Sequence, residues 1–308
     1  MLCHPMNDFE LGGLIAAPFT PFTKDGELNL DAIEKQASRL VETGVKGAFV
    51  CGTTGEGLSM STEQRMRVAQ RWAEVCRGGS LKLIVHVGHN SQTDAIALAV
   101  HAQKIGAHAV SALPPFFFKP GRVDHLVSFL CPVAGAAPEL PFYFYHIPSM
   151  TGVTLSMYEL LQSAAKIPNF RGIKFTHGDL MEFERCKRFE NGRYEIAWGV
   201  DEMLLGALAL GATPAVGSTY NYAAPNYTRM ITAFKAGDVT TARTCAARSV
   251  DLVSILLRHG GLRTGKALMS LSGIDCGPTI SPVEPLSSDE ISSVRQSLEE
   301  IGFFEWRK

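Results

Sequence analysis

Residues 172–176 read Gly172-Ile173-Lys174-Phe175-Thr176. Alternation with a period of two puts Ile173 and Phe175 on one face of a strand and Gly172, Lys174 and Thr176 on the other. If helices cover the apolar face, the amine of Lys174 points into the interior of a closed sheet. Working outward, similar short apolar runs recur at Leu14 to Pro18, Gly47 to Val50, Leu81 to Val87, Ala109 to Leu113, Phe142 to Tyr145, Ile196 to Gly199 and Ala215 to Gly217. Between them lie amphipathic stretches such as Ile33, Ala37, Leu40 and Val41, and then Ala69, Trp72, Ala73 and Cys76. Each sets one apolar stripe along a helix. Ser61 with Gln64, and Ser156 with Glu159, stand at capping-box spacing; Asp179 is placed to cap a helix, and Gly44 to end one.

Eight strands alternating with helices predict an α/β protein, a (β/α)8 TIM barrel with additional C-terminal helices. A doubly wound open sheet can be drawn through the same elements, but no Gly-x-Gly-x-x-Gly follows the first strand. The strand pattern stops near Gly237. Residues 1–237 are therefore assigned to the barrel. Residues 238–308 are read as a helical extension packed on it in one structural unit, with helices near Val239 to Arg258, Leu262 to Leu271 and Ser288 to Ile301.

The chain has 308 residues, 46% of them hydrophobic, with 29 Lys and Arg against 30 Asp and Glu. A net charge of −1 argues against a nucleic-acid partner, which calls for concentrated positive charge. No apolar run reaches the ~18 residues of a membrane span, and Met1 to Glu10 lacks the features of a signal peptide, so a soluble cytoplasmic protein is expected. Seven scattered cysteines without a Cys-x-x-Cys pair read as reduced thiols.

In a barrel the chemistry collects at the C-terminal ends of the strands. A buried lysine loses its proton more readily and can attack a carbonyl; the alternative for Lys174 is a structural ion pair. Tyr143 and Tyr145 share a face of the strand one βα unit before Lys174, and Tyr145 is either a proton shuttle for that amine or a ring filling the barrel. Gly52-Thr53-Thr54-Gly55-Glu56-Gly57 can form an anion cradle suited to a carboxylate, or a plain tight turn. Asp201 and Glu202 after the seventh strand, and Ser218, Tyr220 and Asn221 after the eighth, suit a polyol; a helix cap and a first-turn charge are the structural readings of Asp201 and Glu202. His86 and His89 face opposite sides and lack a third ligand, which argues against a metal site; His146 and His177 flank the mouth without a recognisable partner.

Four motifs carry a resemblance: Gly52-Thr53-Thr54-Gly55-Glu56; Tyr145-His146-Ile147-Pro148 followed by Thr151-Gly152; Gly172-Ile173-Lys174; and Gly217-Ser218-Thr219-Tyr220-Asn221. From about Leu11 to Ile301 the chain resembles the N-acetylneuraminate lyases of the dihydrodipicolinate synthase superfamily. The resemblance implies Schiff-base aldol cleavage of sialic acid to N-acetylmannosamine and pyruvate, in a homotetrameric barrel that needs no metal or organic cofactor. It implies that Lys174 forms the imine and Tyr145 is the acid and base. Thr53 and Thr54 would hold the keto acid, while Thr176, Gly199, Asp201, Glu202 and Ser218 would contact the sugar chain. Met150 stands where dihydrodipicolinate synthases carry an arginine for a second carboxylate, which disfavours that activity. Other pyruvate-dependent aldolases of the superfamily and a non-catalytic sugar-acid binder are the competing readings. Phe116, Phe117 and Phe118 replace a stretch where many members carry a tyrosine that reaches a neighbouring subunit's site, so an intersubunit proton relay is in doubt.

Overall fold

The computed structural model describes residues 9–167 and 169–307. Cys3 and all but the last two residues of the Met1 to Glu10 segment lie outside the described residues, as do Pro168 and Lys308.

Eight parallel strands close into one barrel: β1 (Leu14–Ala16), β2 (Gly47–Val50), β3 (Lys82–His86), β4 (Ala109–Ala112), β5 (Phe142–His146), β6 (Phe170–Phe175), β7 (Glu195–Trp198) and β8 (Ala215–Gly217). Each pairs with its neighbours in chain order, and Ile15 opposite Val216 joins β1 to β8. That seam rules out the open-sheet alternative. Helices α1 (Ala32–Glu42), α2 (Thr62–Cys76), α3 (Gln92–Lys104) and α4 (Val123–Gly135) follow the first four strands. The single turn α5 (Pro148–Thr151), then α6 (Met157–Ser163), α7 (Leu180–Arg188), α8 (Leu204–Ala209) and α9 (Tyr220–Lys235), accompany the rest. After the barrel come α10 (Val239–Arg258), α11 (Leu262–Leu271), α12 (Ser288–Glu300) and the short α13 (Phe303–Trp306).

Period-two alternation sorts the apolar residues into two cores. Ile15, Phe49, Ile84, Tyr143, Tyr145 and Val216 fill the barrel interior. Leu14, Val50, Leu83, Phe144, Ile173 and Phe175 face outward into a larger core shared with the helices, and Leu252, Leu268, Leu298 and Phe303 of the C-terminal helices join it. Local signals set the helix ends. Ser61 and Gln64 form a complete capping box, Asp179 accepts from the Glu182 N–H, and Gly44 turns away from α1 at φ 76°. Ser156 accepts from the Glu159 N–H, which is the forward half of a box. β6 begins two residues earlier than its alternation suggested. A register shift between β5 and β6 leaves Arg171 unpaired and brings Gly172 opposite Tyr143. Among the described residues no helix is long and apolar enough to cross a membrane, and Cys51, Cys76, Cys131, Cys186, Cys245 and Cys276 are free thiols.

Candidate active site

Lys174 stands next to last on β6 with its side chain inside the barrel and only 4% of the residue exposed. Its Nζ lies 3.9 Å from the centre of the Phe49 ring and 4.0 Å from that of Tyr145. No carboxylate pairs with it among the described residues, which removes the structural ion-pair reading. Burial lowers its pKa from 10.5 to about 7, against the opposing pull of Asp201. At neutral pH a large share of this amine is therefore unprotonated.

The β5–β6 register sets Tyr145 directly opposite Lys174. The Tyr145 hydroxyl is 3.3 Å from Oγ1 of Thr53, and burial pushes the phenol up to about 12. Its ring meets that of His86 edge-on with centres 5.7 Å apart. His86 Nδ1 is 3.1 Å from the Cys51 carbonyl oxygen, and burial followed by the charge of Arg65 holds its pKa well below 6.5. The buried Arg65 donates to the carbonyls of His86 and Gly88. His89 Nδ1, in the following loop, accepts from the Ser91 N–H. The two histidines are thus engaged separately. The place of His86 behind Tyr145 escaped the sequence reading, which weighed it only as a metal ligand; its inward register on β3 was the available signal.

The turn after β2 brings Thr53 and Thr54 to the same cavity. Glu56 N–H bonds back to the Thr53 carbonyl, and Gly57 N–H to that of Gly52, closing the turn on itself. The N–H groups of Thr53 and Thr54 donate to no acceptor among the described residues. Free donors beside two hydroxyls are what a carboxylate requires.

Across the mouth, strand-end glycines make room for polar side chains. A Cβ on Gly217 would lie 1.7 Å from Oδ1 of Asp201, and one on Gly199 would lie 2.1 Å from Oγ1 of Thr176. Asp201 Oδ2 accepts from the Thr219 N–H at 2.9 Å and lies 2.7 Å from the Thr219 hydroxyl, while Oδ1 has no partner among the described residues. The Thr176 hydroxyl is likewise buried and unpartnered. Burial raises the carboxyl pKa of both Asp201 and Glu202.

These residues meet around one cavity of about 450 Å³. Lys174, Tyr145, Thr53, Thr54, Thr176, Gly199, Asp201, Glu202 and Ser218 all line it. Two contributors were not legible in the sequence. Ser149 of α5 lines the cavity, while its neighbour Met150 is 65% exposed. Val253, Leu256 and Leu257 of α10, with Leu262 and Gly265 of α11, form an apolar wall. The C-terminal helices, read from sequence only as an extension packed on the barrel, thereby wall the cavity. Phe117 and Phe118 do not line the cavity; they are 75% and 86% exposed and meet edge to face.

A desolvated amine in the mouth of a (β/α)8 barrel, beside a phenol and a set of free carboxylate donors, defines a class of barrel built to handle keto acids. Residues 10–301 match the dihydrodipicolinate synthetase family, and the chain belongs to it. N-acetylneuraminate lyase of Mus musculus is 42% identical over 96% of this chain and 93% of its own length. The structure of Proteus mirabilis N-acetylneuraminate lyase superimposes with a TM-score of 0.92 at 43% identity, over 95% of this chain and 99% of that one. A catalytic lysine mutant of Ruminococcus gnavus sialic acid aldolase superimposes with a TM-score of 0.89 at 26% identity, over 95% and 96%.

Proposed function

We propose that this chain cleaves N-acetylneuraminate to N-acetylmannosamine and pyruvate by Schiff-base aldol chemistry. The observation that carries the reading is Lys174: a buried amine with no ion-pair partner among the described residues, opposite Tyr145 and near the Thr53–Thr54 turn, whose Thr53 hydroxyl meets that of Tyr145. The near full-length likeness to N-acetylneuraminate lyases supports the substrate, and the related aldolase with a catalytic lysine supports the chemistry.

Neutral Lys174 attacks C2 of the open-chain keto acid, and loss of water gives the iminium ion. The C4 hydroxyl passes its proton to the Tyr145 oxygen as the phenol passes its own proton to the substrate carboxylate held at Thr53 and Thr54. The C3–C4 bond breaks, its electron pair moves into the iminium to form an enamine, and C4 leaves as the aldehyde of N-acetylmannosamine. Protonation at C3 and addition of water release pyruvate and restore Lys174. The protonated imine is the electron sink, so the reading assigns no metal and no organic cofactor. Thr176, Asp201, Glu202 and Ser218, with the Gly199 backbone, all line the cavity and hold the sugar hydroxyls. The enzyme is assigned to the cytoplasm and to a homotetramer, with 1–237 as barrel and 238–308 as its helical extension.

The test is borohydride reduction with pyruvate, run beside a pyruvate-release assay on N-acetylneuraminate. The expected result is a reduced pyruvate adduct on the Lys174 peptide and release of pyruvate. An unmodified Lys174 would overturn the mechanism. Condensation with aspartate semialdehyde in place of cleavage would move the activity to a synthase.

A further inference from the structure

Glu56 ends the Thr53–Thr54 turn with its backbone in the left-handed region at φ 53°, a conformation that a residue with a side chain holds only when its surroundings impose it. The imposing contacts come from outside the barrel. Glu56 Oε1 accepts from Lys266 Nζ of α11 at 2.6 Å, and Oε2 accepts from the Ile280 N–H at 2.8 Å, in the segment between α11 and α12. Both side chains of the ion pair are 1% exposed. The ammonium also sits 4.3 Å from the centre of the Phe22 ring. Gly265, adjacent to Lys266, lines the cavity, and Glu56 N–H bonds to the Thr53 carbonyl. One carboxylate therefore links the helix behind the cavity to the turn that presents the free N–H groups.

Desolvating both charges offsets most of what such a pair contributes to stability, and apolar side chains of similar volume can replace one at little cost. What an apolar pair cannot supply is direction, because a carboxylate held at both oxygens fixes the orientation of the turn that carries it. We propose that Glu56 and Lys266 are positioning residues that hold the Thr53–Thr54 turn in register with the substrate carboxylate. The affinity for pyruvate is then set in part by a helix beyond the last barrel strand. This rests on the keto-acid reading of the turn given above.

The experiment compares the unmodified enzyme with Lys266→Arg and the charge-free double variant Glu56→Gln, Lys266→Met, in the condensation of pyruvate with N-acetylmannosamine. The double variant is expected to raise the KM for pyruvate at least tenfold and to leave the KM for N-acetylmannosamine within twofold. Lys266→Arg, which keeps the charge, is expected to stay within about threefold for both. A folded double variant with an unchanged pyruvate KM overturns the proposal, as does an equal rise in both KM values. If the double variant does not fold, Glu56→Asp supplies the same readout, since its shorter arm cannot reach both partners; failure of every variant to fold assigns the pair to stability alone and also overturns it. Borohydride trapping of pyruvate on the unmodified enzyme is measured first. Its absence would sink the Schiff-base reading itself, whereas an unchanged KM in the variants would sink only the role of the pair.

Discussion

An amine that is buried beside two aromatic rings, with no carboxylate in ion-pair contact among the described residues, holds its proton weakly, and this gives Lys174 a defined pH signature. With a pKa near 7 it is mostly ammonium at pH 6 and mostly free amine at pH 8. The rate of imine trapping with pyruvate is therefore expected to climb through about pH 7 and level off above it, falling roughly tenfold per pH unit on the acid side. A rate that instead climbs until pH 10 would place Lys174 in an ordinary solvated environment. Tyr145, pushed up to about 12, stays protonated across this range and adds no second inflection in the free enzyme. The inward direction of Lys174 was legible in the alternation of residues 172–176. Its lack of an ion-pair partner among the described residues was not, because any partner would come from a segment distant in the chain.

Strand ends show how backbone positions create chemistry for side chains carried elsewhere. Gly217 on β8 has no room for a methyl group because Asp201, which follows β7, occupies that space. Gly217→Ala must displace the Asp201 carboxylate from its two contacts with Thr219. The expected result is a rise of at least tenfold in the KM for N-acetylneuraminate, with trapping of pyruvate on Lys174 retained, and a stability loss of about 1–3 kcal/mol in urea unfolding. Unaltered steady-state kinetics would remove Asp201 from sugar recognition. At this scale the sequence located every strand, since barrel strands are short apolar runs between amphipathic helices. It missed the unpaired Arg171 and the two extra residues at the start of β6. A register shift is a property of two strands and leaves no mark in either one alone.

The molecule as a whole carries an exposed apolar feature that a single barrel does not use. Phe117 and Phe118 project into solvent beyond β4, and Phe116 and Phe117 donate their N–H groups to Oδ1 of Asn90, which fixes the backbone under them. Rigid exposed aromatics of this kind mark protein contact surfaces. For the proposed tetramer, Phe117→Ser with Phe118→Ser is expected to lower the mass measured by light scattering to that of dimers or monomers; an unchanged tetramer would place the interface elsewhere. The near-neutral charge fits a site that holds its anion with local donors alone. Alternation and spacing by themselves determined the eight-stranded order, the inward lysine and the polar residues at the mouth, because each is written within a few consecutive positions. Only the tertiary structure decided that β1 meets β8, that no counter-ion among the described residues pairs with Lys174, and that α10 and α11 wall the cavity. It also joined Lys266 to Glu56, 210 residues apart in sequence, because contacts over such separations follow from how the closed barrel packs.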